Sequence, residues 1–202
     1  GYGDFSCFGQ KKFKTPNVDR MAKEGMKLTD FYSSSTVCAP SRSSLMTGHH
    51  SGRGYIRGNK EIRPEGQHPL PMKAVTIPEV LKQSGYVSGM FGKWGLGAPG
   101  SEGDPMNQGF DRFYGLNCQR QSHNFYPTHI WSDRKKVHLD RKHYSHSLIA
   151  DECLNFIRAN KDNPFFCYVP FTIPHAAMQS PEKRIATWRK KFPEFEKMTG
   201  KY

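Results

Sequence analysis

Short apolar runs that alternate with helical patterns are the feature that most limits the possible folds of this chain. Residues 165–171 are almost continuously apolar, as expected for a strand covered on both faces at the centre of a parallel sheet. Residues 86–91 form a second predicted strand, which follows a predicted helix that begins after Thr76. This alternation predicts an α/β fold with a largely parallel sheet flanked by helices.

The helix boundaries carry recognisable start and stop signals. Thr15 and Pro16 suit the first turn of a helix that Gly25 ends, and Thr76 with Glu79 has the spacing of a capping box. Residues 144–160 have the longest helical pattern.

Three polar residues each follow a predicted strand: Cys38 after residues 27–33, Lys93 after 86–91, and His175 after 165–171. Functional groups in open α/β sheets lie beyond the carboxyl ends of the strands. The sequence therefore predicts that one crevice holds all three side chains.

The segment around Cys38 has a distinctive local pattern. Pro40 and Arg42 follow the cysteine, and a predicted helix over residues 41–47 is closed by Gly48. A helix N-terminus suits an anion such as sulfate. A buried structural cysteine is the alternative, whereas a cysteine-phosphatase loop is excluded because position 44 is Ser.

The remaining cysteines do not suggest a metal knuckle. The chain has 5 cysteines and no CxxC pair, which disfavours a zinc site. Cys153 and Cys167 lie among apolar residues and are predicted to be buried thiols.

The run from Cys38 to Gly48 resembles the signature of the type I sulfatases, in the alkaline-phosphatase-like superfamily. Further matching segments follow in family order: Gly92-Lys93-Trp94, Gly109-Phe110-Asp111 and Pro174-His175. The resemblance covers essentially the whole chain.

This resemblance implies a specific chemistry. A formylglycine-generating maturation enzyme would oxidise Cys38 to formylglycine, whose hydrate attacks sulfur. Cys38 in that form would also ligate a calcium ion held by carboxylates. Arg42 would orient the nucleophile, Lys93 would neutralise charge on the sulfate, and His175 would bond the sulfate or transfer a proton. Each residue also has an alternative without a catalytic role. Arg42 would then be an ordinary charged residue of the helix, Lys93 a solvent-exposed lysine and His175 a loop residue.

The chain departs from the family pattern at Gly95, where many sulfatases have a histidine. His123 is the candidate substitute, and a loop histidine without a catalytic role is the alternative. Arg57 and Asn59 are candidate substrate-binding residues, or exposed loop groups. His129, His138, His143 and His146 show no metal-ligand spacing and receive no role.

The charge of the chain suggests its partners. A net charge of +12 favours polyanions, with lysines and arginines on solvated helix faces as the alternative explanation. No nucleic-acid-binding motif and no apolar run long enough to span a membrane is present. A sulfated carbohydrate fits this charge, and an aryl sulfate fits nearly as well. No signal peptide is visible, and a periplasmic or secreted location is expected from the resemblance alone.

The resemblance also implies that residues 1–202 are part of a single catalytic domain that extends beyond both ends. The aspartates expected as calcium ligands lie outside this chain, so the chain alone is predicted to be inactive. Two other functions stay open. One is a phosphodiesterase or phosphonate hydrolase of the same superfamily, and the other is a degenerate, non-catalytic relative that binds sulfated glycans.

Overall fold

The computed structural model describes residues 2–175 and 177–193, and the chain forms two compact units, Gly1–Ser33 and Ser34–Tyr202. The smaller unit contains helix α1 (Pro16–Glu24), which begins and ends where the sequence predicts. Thr15 does not cap it with a side-chain bond, and its hydroxyl donates instead to the Asp19 carboxylate at 3.0 Å.

The prediction of a strand over residues 27–33 is wrong. Within residues 2–33 the structure has no strand, and Leu28 and Phe31 remain 52% and 72% exposed. A strand is stable only when a neighbouring strand pairs its backbone N–H and C=O groups. This segment has the apolar composition of a strand but no such partner in its own unit.

The larger unit contains one five-stranded sheet in the order β4-β3-β2-β1-β5. Its strands are β1 (Val87–Lys93), β2 (Arg112–Leu116), β3 (His129–Ser132), β4 (Lys135–His138) and β5 (Phe165–Tyr168). β1 pairs in parallel with β2 and β5, whereas β2 with β3 and β3 with β4 are antiparallel. The α/β fold is confirmed, and the described sheet is mixed, with two parallel and two antiparallel pairs.

The helices of this unit are α2 (Cys38–Thr47), α3 (Ile77–Lys82), α4 (Ser145–Asn160) and α5 (Glu182–Lys191). The capping box of α3 is confirmed, because the Glu79 carboxylate accepts a bond from the Thr76 N–H at 2.8 Å. In the ranges that the structure describes, no helix is both long and apolar enough to cross a membrane.

Helix α4 covers one face of the sheet. Its buried residues Ile149, Cys153 and Phe156 form one core cluster with Phe91 of β1, and the rings of Phe91 and Phe156 lie 5.2 Å apart. Burial of each large side chain stabilises the fold by about 1.5–3 kcal/mol. A second cluster joins Met46 of α2 to Met90 of β1, so both helices are fixed to the same strand.

The predicted strand over residues 165–171 is shorter in the structure, and β5 lies at an edge of the described sheet rather than at its centre. Its four residues are only half-buried. The strand ends before Pro170, which has no N–H to donate to a ladder. The Pro170 carbonyl still accepts the Lys93 N–H at 2.9 Å, so the segment after β5 stays beside the end of β1.

Two thiols meet between α4 and β5, of which Cys153 is buried, as its apolar surroundings predict, whereas Cys167 is only half-buried. The Cys153 and Cys167 sulfurs lie 3.5 Å apart. Burial, together with the neighbouring thiol, raises the pKa of Cys167 to about 12.

Candidate active site

Cys38 is the first residue of α2, three positions before the predicted start of the helix at residue 41. Its N-cap residue, Val37, provides no side-chain bond. The Asn59 side-chain oxygen instead accepts the Ala39 N–H at 3.0 Å, so a loop residue twenty positions downstream caps this helix end. This contact fixes the position of the backbone that carries Cys38.

Lys93, the last residue of β1, connects the groups of the candidate site. Its side chain is 3% exposed and lies within hydrogen-bonding reach of the Cys38 sulfur. Burial lowers the pKa of Lys93 and the Arg42 charge adds to this effect, whereas Cys38 opposes it. Because burial penalises the ammonium ion, an anion bound beside it would be attracted strongly.

Arg42 lies one helical turn after Cys38 and connects α2 to the sheet. Its Nη1 donates to the Lys93 backbone carbonyl, and its side chain also bonds the Tyr168 hydroxyl. The buried Nε has no partner among the described residues. A buried donor without an acceptor is costly, so an oxyanion that reached Nε would be stabilised.

His123 and His175 stack face to face, with ring centroids 4.0 Å apart and planes 11° apart. Loss of hydration lowers the pKa of His123 to about 4, with further contributions from the charges of Lys93 and His175, although the side chain keeps access to solvent. Burial and the Lys93 charge also lower the pKa of His175. Both imidazoles are therefore predominantly neutral at pH 7, and they can accept a proton.

The structure thus brings four of the predicted site residues near the ammonium group of a fifth, Lys93. Cys38 and Arg42 reach Lys93 from α2, and the charge of Lys93 acts on both histidines. Their catalytic roles stay predictions.

Arg57 and Asn59 take different positions. Arg57 is exposed and donates to the Gly52 carbonyl at 2.8 Å, while Asn59 caps α2 as described. Substrate binding by either residue stays a prediction.

Gly95 is held by the side chain of Gln119. Gln119 Nε2 donates to the Gly95 carbonyl at 3.2 Å, and a Cβ at position 95 would lie 2.1 Å from the same nitrogen. Gly95 also has φ +75°, a left-handed conformation that favours glycine. A histidine would not fit at this position unless Gln119 moved.

Two contributors to the site, Tyr168 and Gln119, were missed by reasoning from the sequence. Tyr168 lies inside an apolar strand and was therefore expected to be a core residue. Gln119 lies in an irregular segment and contacts Gly95, 24 positions earlier in the sequence. Their contacts join residues far apart in sequence, so no local pattern could have indicated them.

The described residues do not form a metal site by themselves. Within residues 2–175 and 177–193, no group of three or more His, Cys, Asp or Glu side chains is placed to hold a metal ion. Acidic oxygens are the ligands that calcium prefers, and none surrounds Lys93 and Cys38 in an arrangement of this kind.

Comparison with known proteins gives one family. The family model described as Sulfatase matches residues 1–200. An arylsulfatase of Hemicentrotus pulcherrimus is 34% identical over 217 residues, covering 94% of this chain and 38% of the relative. Human arylsulfatase A is 44% identical over 119 residues, covering 57% of this chain and 23% of the relative.

A solved structure has the same fold. It contains a protein in complex with its substrate, D-glucosamine-2-N,6-O-disulfate. It superposes with a TM-score of 0.75 at 28% identity, covering 94% of this chain and 35% of the solved one. The chain thus spans less than half the length of these relatives.

Proposed function

Because the chain belongs to the sulfatase family, we propose that the whole protein hydrolyses sulfate esters and that residues 1–202 supply its nucleophile. The observation that carries this proposal is the buried ammonium group of Lys93, which lies within hydrogen-bonding reach of Cys38 and close enough to Arg42 for their charges to interact. Two cations beside the first residue of a helix favour an anionic ester over a neutral one.

Conversion of Cys38 to formylglycine would supply a hydrated aldehyde as the nucleophile. The position suits this group, because Cys38 is half-buried at a helix N-terminus and its sulfur faces Lys93. A maturation enzyme that oxidises Cys38 is therefore part of the proposal.

The surrounding residues would bind and orient the sulfate. Arg42 Nε is a buried donor that an ester oxygen can accept from, and Lys93 would offset charge on the sulfate or on the leaving oxygen. His175 Nδ1 is buried and has no partner among the described residues, so it can bond the sulfate or accept a proton. His123, stacked on it, is the second proton acceptor.

The described residues alone do not form a calcium site. We propose that its carboxylate ligands come from parts of the protein outside residues 1–202, with position 38 contributing once it is converted. The same proposal treats residues 1–202 as part of one catalytic domain.

The substrate that we propose is a sulfated carbohydrate, with an aryl sulfate as the simpler alternative. The net charge of +12 favours an anionic ligand, and one related structure holds a sulfated glucosamine. A periplasmic or secreted location rests on the family resemblance alone.

The test uses the full-length protein co-expressed with a formylglycine-generating enzyme. We expect intact mass spectrometry to show the loss that corresponds to thiol-to-aldehyde conversion at Cys38, and we expect hydrolysis of an aryl sulfate. The Cys38→Ala variant controls for contaminating activity.

Two results would contradict the proposal. One is an unconverted thiol with no hydrolysis, and the other is faster hydrolysis of a phosphonate monoester than of the matching sulfate. The isolated 202-residue chain, converted in the same way, is expected to show no turnover.

A further inference from the structure

A cavity of about 290 Å³ lies next to the candidate active site and belongs to no step of the proposed chemistry. Its lining includes the polar side chains of Glu65, Arg120, Gln121, His129 and Arg141. Its volume is near the lower end of the range found for small-molecule sites.

One wall of the cavity also forms part of the catalytic cluster. Cys118 lines the cavity and is near enough to Lys93 to affect its pKa. Gln121 lines the cavity from the short 3₁₀ helix Gln121–His123, and the last residue of that helix is the histidine that stacks on His175. The cavity therefore shares a wall with the residues around Lys93.

The acidic side of the cavity is already neutralised. The Glu65 carboxylate accepts bonds from His129 Nε2 and Trp131 Nε1, both at 2.7 Å, and lies 3.9 Å from Lys136 Nζ. These donors offset the negative charge of Glu65. The residue therefore fixes the cavity wall without strongly repelling an anion.

The basic side retains an unneutralised charge. Arg120 pairs with Glu61 at 2.9 Å, whereas the structure gives Arg141 no ion pair among the described residues. Arg141 also has φ +59°, an uncommon conformation for a residue with a long side chain. Such conformations are enriched at ligand-binding and active sites.

The cavity also offers an unused hydrogen-bond acceptor. Gln121 donates through Nε2 to the His129 carbonyl at 3.0 Å, while its buried Oε1 has no partner among the described residues. A sugar hydroxyl can donate to this oxygen once the Gln121 side chain turns it toward the cavity, whereas a simple anion without a hydrogen-bond donor cannot.

From these contacts we infer that the cavity binds the sugar next to the one that carries the scissile sulfate, and that Arg141 binds an acidic group on that neighbouring sugar. This inference rests on the proposed function, because the position of the sulfate that is cleaved determines where the neighbouring sugar lies. The acidic group is a carboxylate or a second sulfate, since the arginine fork suits both.

Binding is measured separately from turnover, on full-length protein carrying Cys38→Ala. The probes are a disaccharide with one sulfate ester and one uronic carboxylate, and the same disaccharide with that carboxylate as its methyl ester. We expect calorimetry to give about tenfold tighter binding of the acid, near the lower end for a charge-assisted hydrogen bond. This preference should shrink as salt is raised.

The Arg141→Asn variant, added to Cys38→Ala, should bind both probes equally, because asparagine accepts the left-handed backbone but carries no charge. Arg141→Lys keeps a positive charge and should therefore retain part of the preference for the acid. Arg158 lies outside the cavity lining, so Arg158→Asn should leave the preference unchanged. A second pair of probes, with a sulfate in place of the carboxylate, identifies which acidic group is preferred.

Equal binding of the charged and neutral probes in both pairs by the Cys38→Ala protein, or a preference for the charged probe that survives Arg141→Asn, would overturn the inference. Failure of the converted wild-type protein to hydrolyse any sulfate ester would instead overturn the proposed function. The two failures are distinguishable, because the binding measurement needs no reaction.

Discussion

Substitution of Gly95 by alanine tests whether Gln119 occupies the space of a side chain at position 95. The left-handed backbone costs a non-glycine residue about 1–2 kcal/mol. The 2.1 Å approach to Gln119 Nε2 adds overpacking, which costs about 1–3 kcal/mol. We therefore expect Gly95→Ala to lower the free energy of unfolding by about 2–5 kcal/mol in urea titrations of the full-length protein.

Two further variants separate the backbone cost from the steric cost. Gly100 has φ +76° and nothing within 4 Å of its Cβ position, so Gly100→Ala should show the backbone cost alone. In a Gln119→Ala background, Gly95→Ala should likewise cost only about 1–2 kcal/mol. If Gly95→Ala costs the same with and without Gln119, the steric reasoning is wrong.

Three other predictions concern the site. Lys93→Met keeps the volume but removes the charge, so kcat/KM for a sulfate ester should fall by about 10²–10³, and an unchanged value would exclude a role for the ammonium group. Asn59→Ala should cost about 1 kcal/mol in urea unfolding through the lost helix cap, whereas Asn59→Asp keeps the acceptor and should stay near wild type; equal losses would contradict the capping role. The folded-state pKa of His123, about 4, lies below its unfolded value of 6.5, so the unfolded chain binds more protons between these values and stability should fall as the pH drops from 6.5 to 4. His123→Asn should flatten this dependence in urea titrations across that range, and an identical pH profile would refute the pKa shift of His123.

Local patterns were sufficient for much of the fold. The capping box at Thr76 and the apolar run that becomes β1 each depend on neighbouring residues, and both were predicted correctly. The hairpin β3–β4 was not predicted, because its position depends on a distant contact: the Asp133 carboxylate accepts the Phe113 N–H at 2.8 Å. Contacts of this kind have no signal in a short window of sequence.

In the candidate site as well, local motifs were predicted and distant contacts were not. Cys38, Arg42 and Lys93 belong to recognisable motifs, and the structure brings them together. Asn59 was expected to bind substrate, but the described contact is with the backbone of α2, which depends on how the loop folds back. His129 received no role from the sequence, and it lines the cavity because the strand pairing places it beside Glu65.

The thiol pair between α4 and β5 has a practical consequence for following motions of this fold. Burial raises the pKa of Cys167 to about 12, so little thiolate is present at neutral pH, and alkylation should become faster when the helix separates from the strand. The rate of its alkylation would therefore measure how often this part of the fold opens locally. Helix α4 also packs on β1, the strand that ends in Lys93. The alkylation rate would therefore report on the stability of the structure that supports the nucleophile, without any substrate being present.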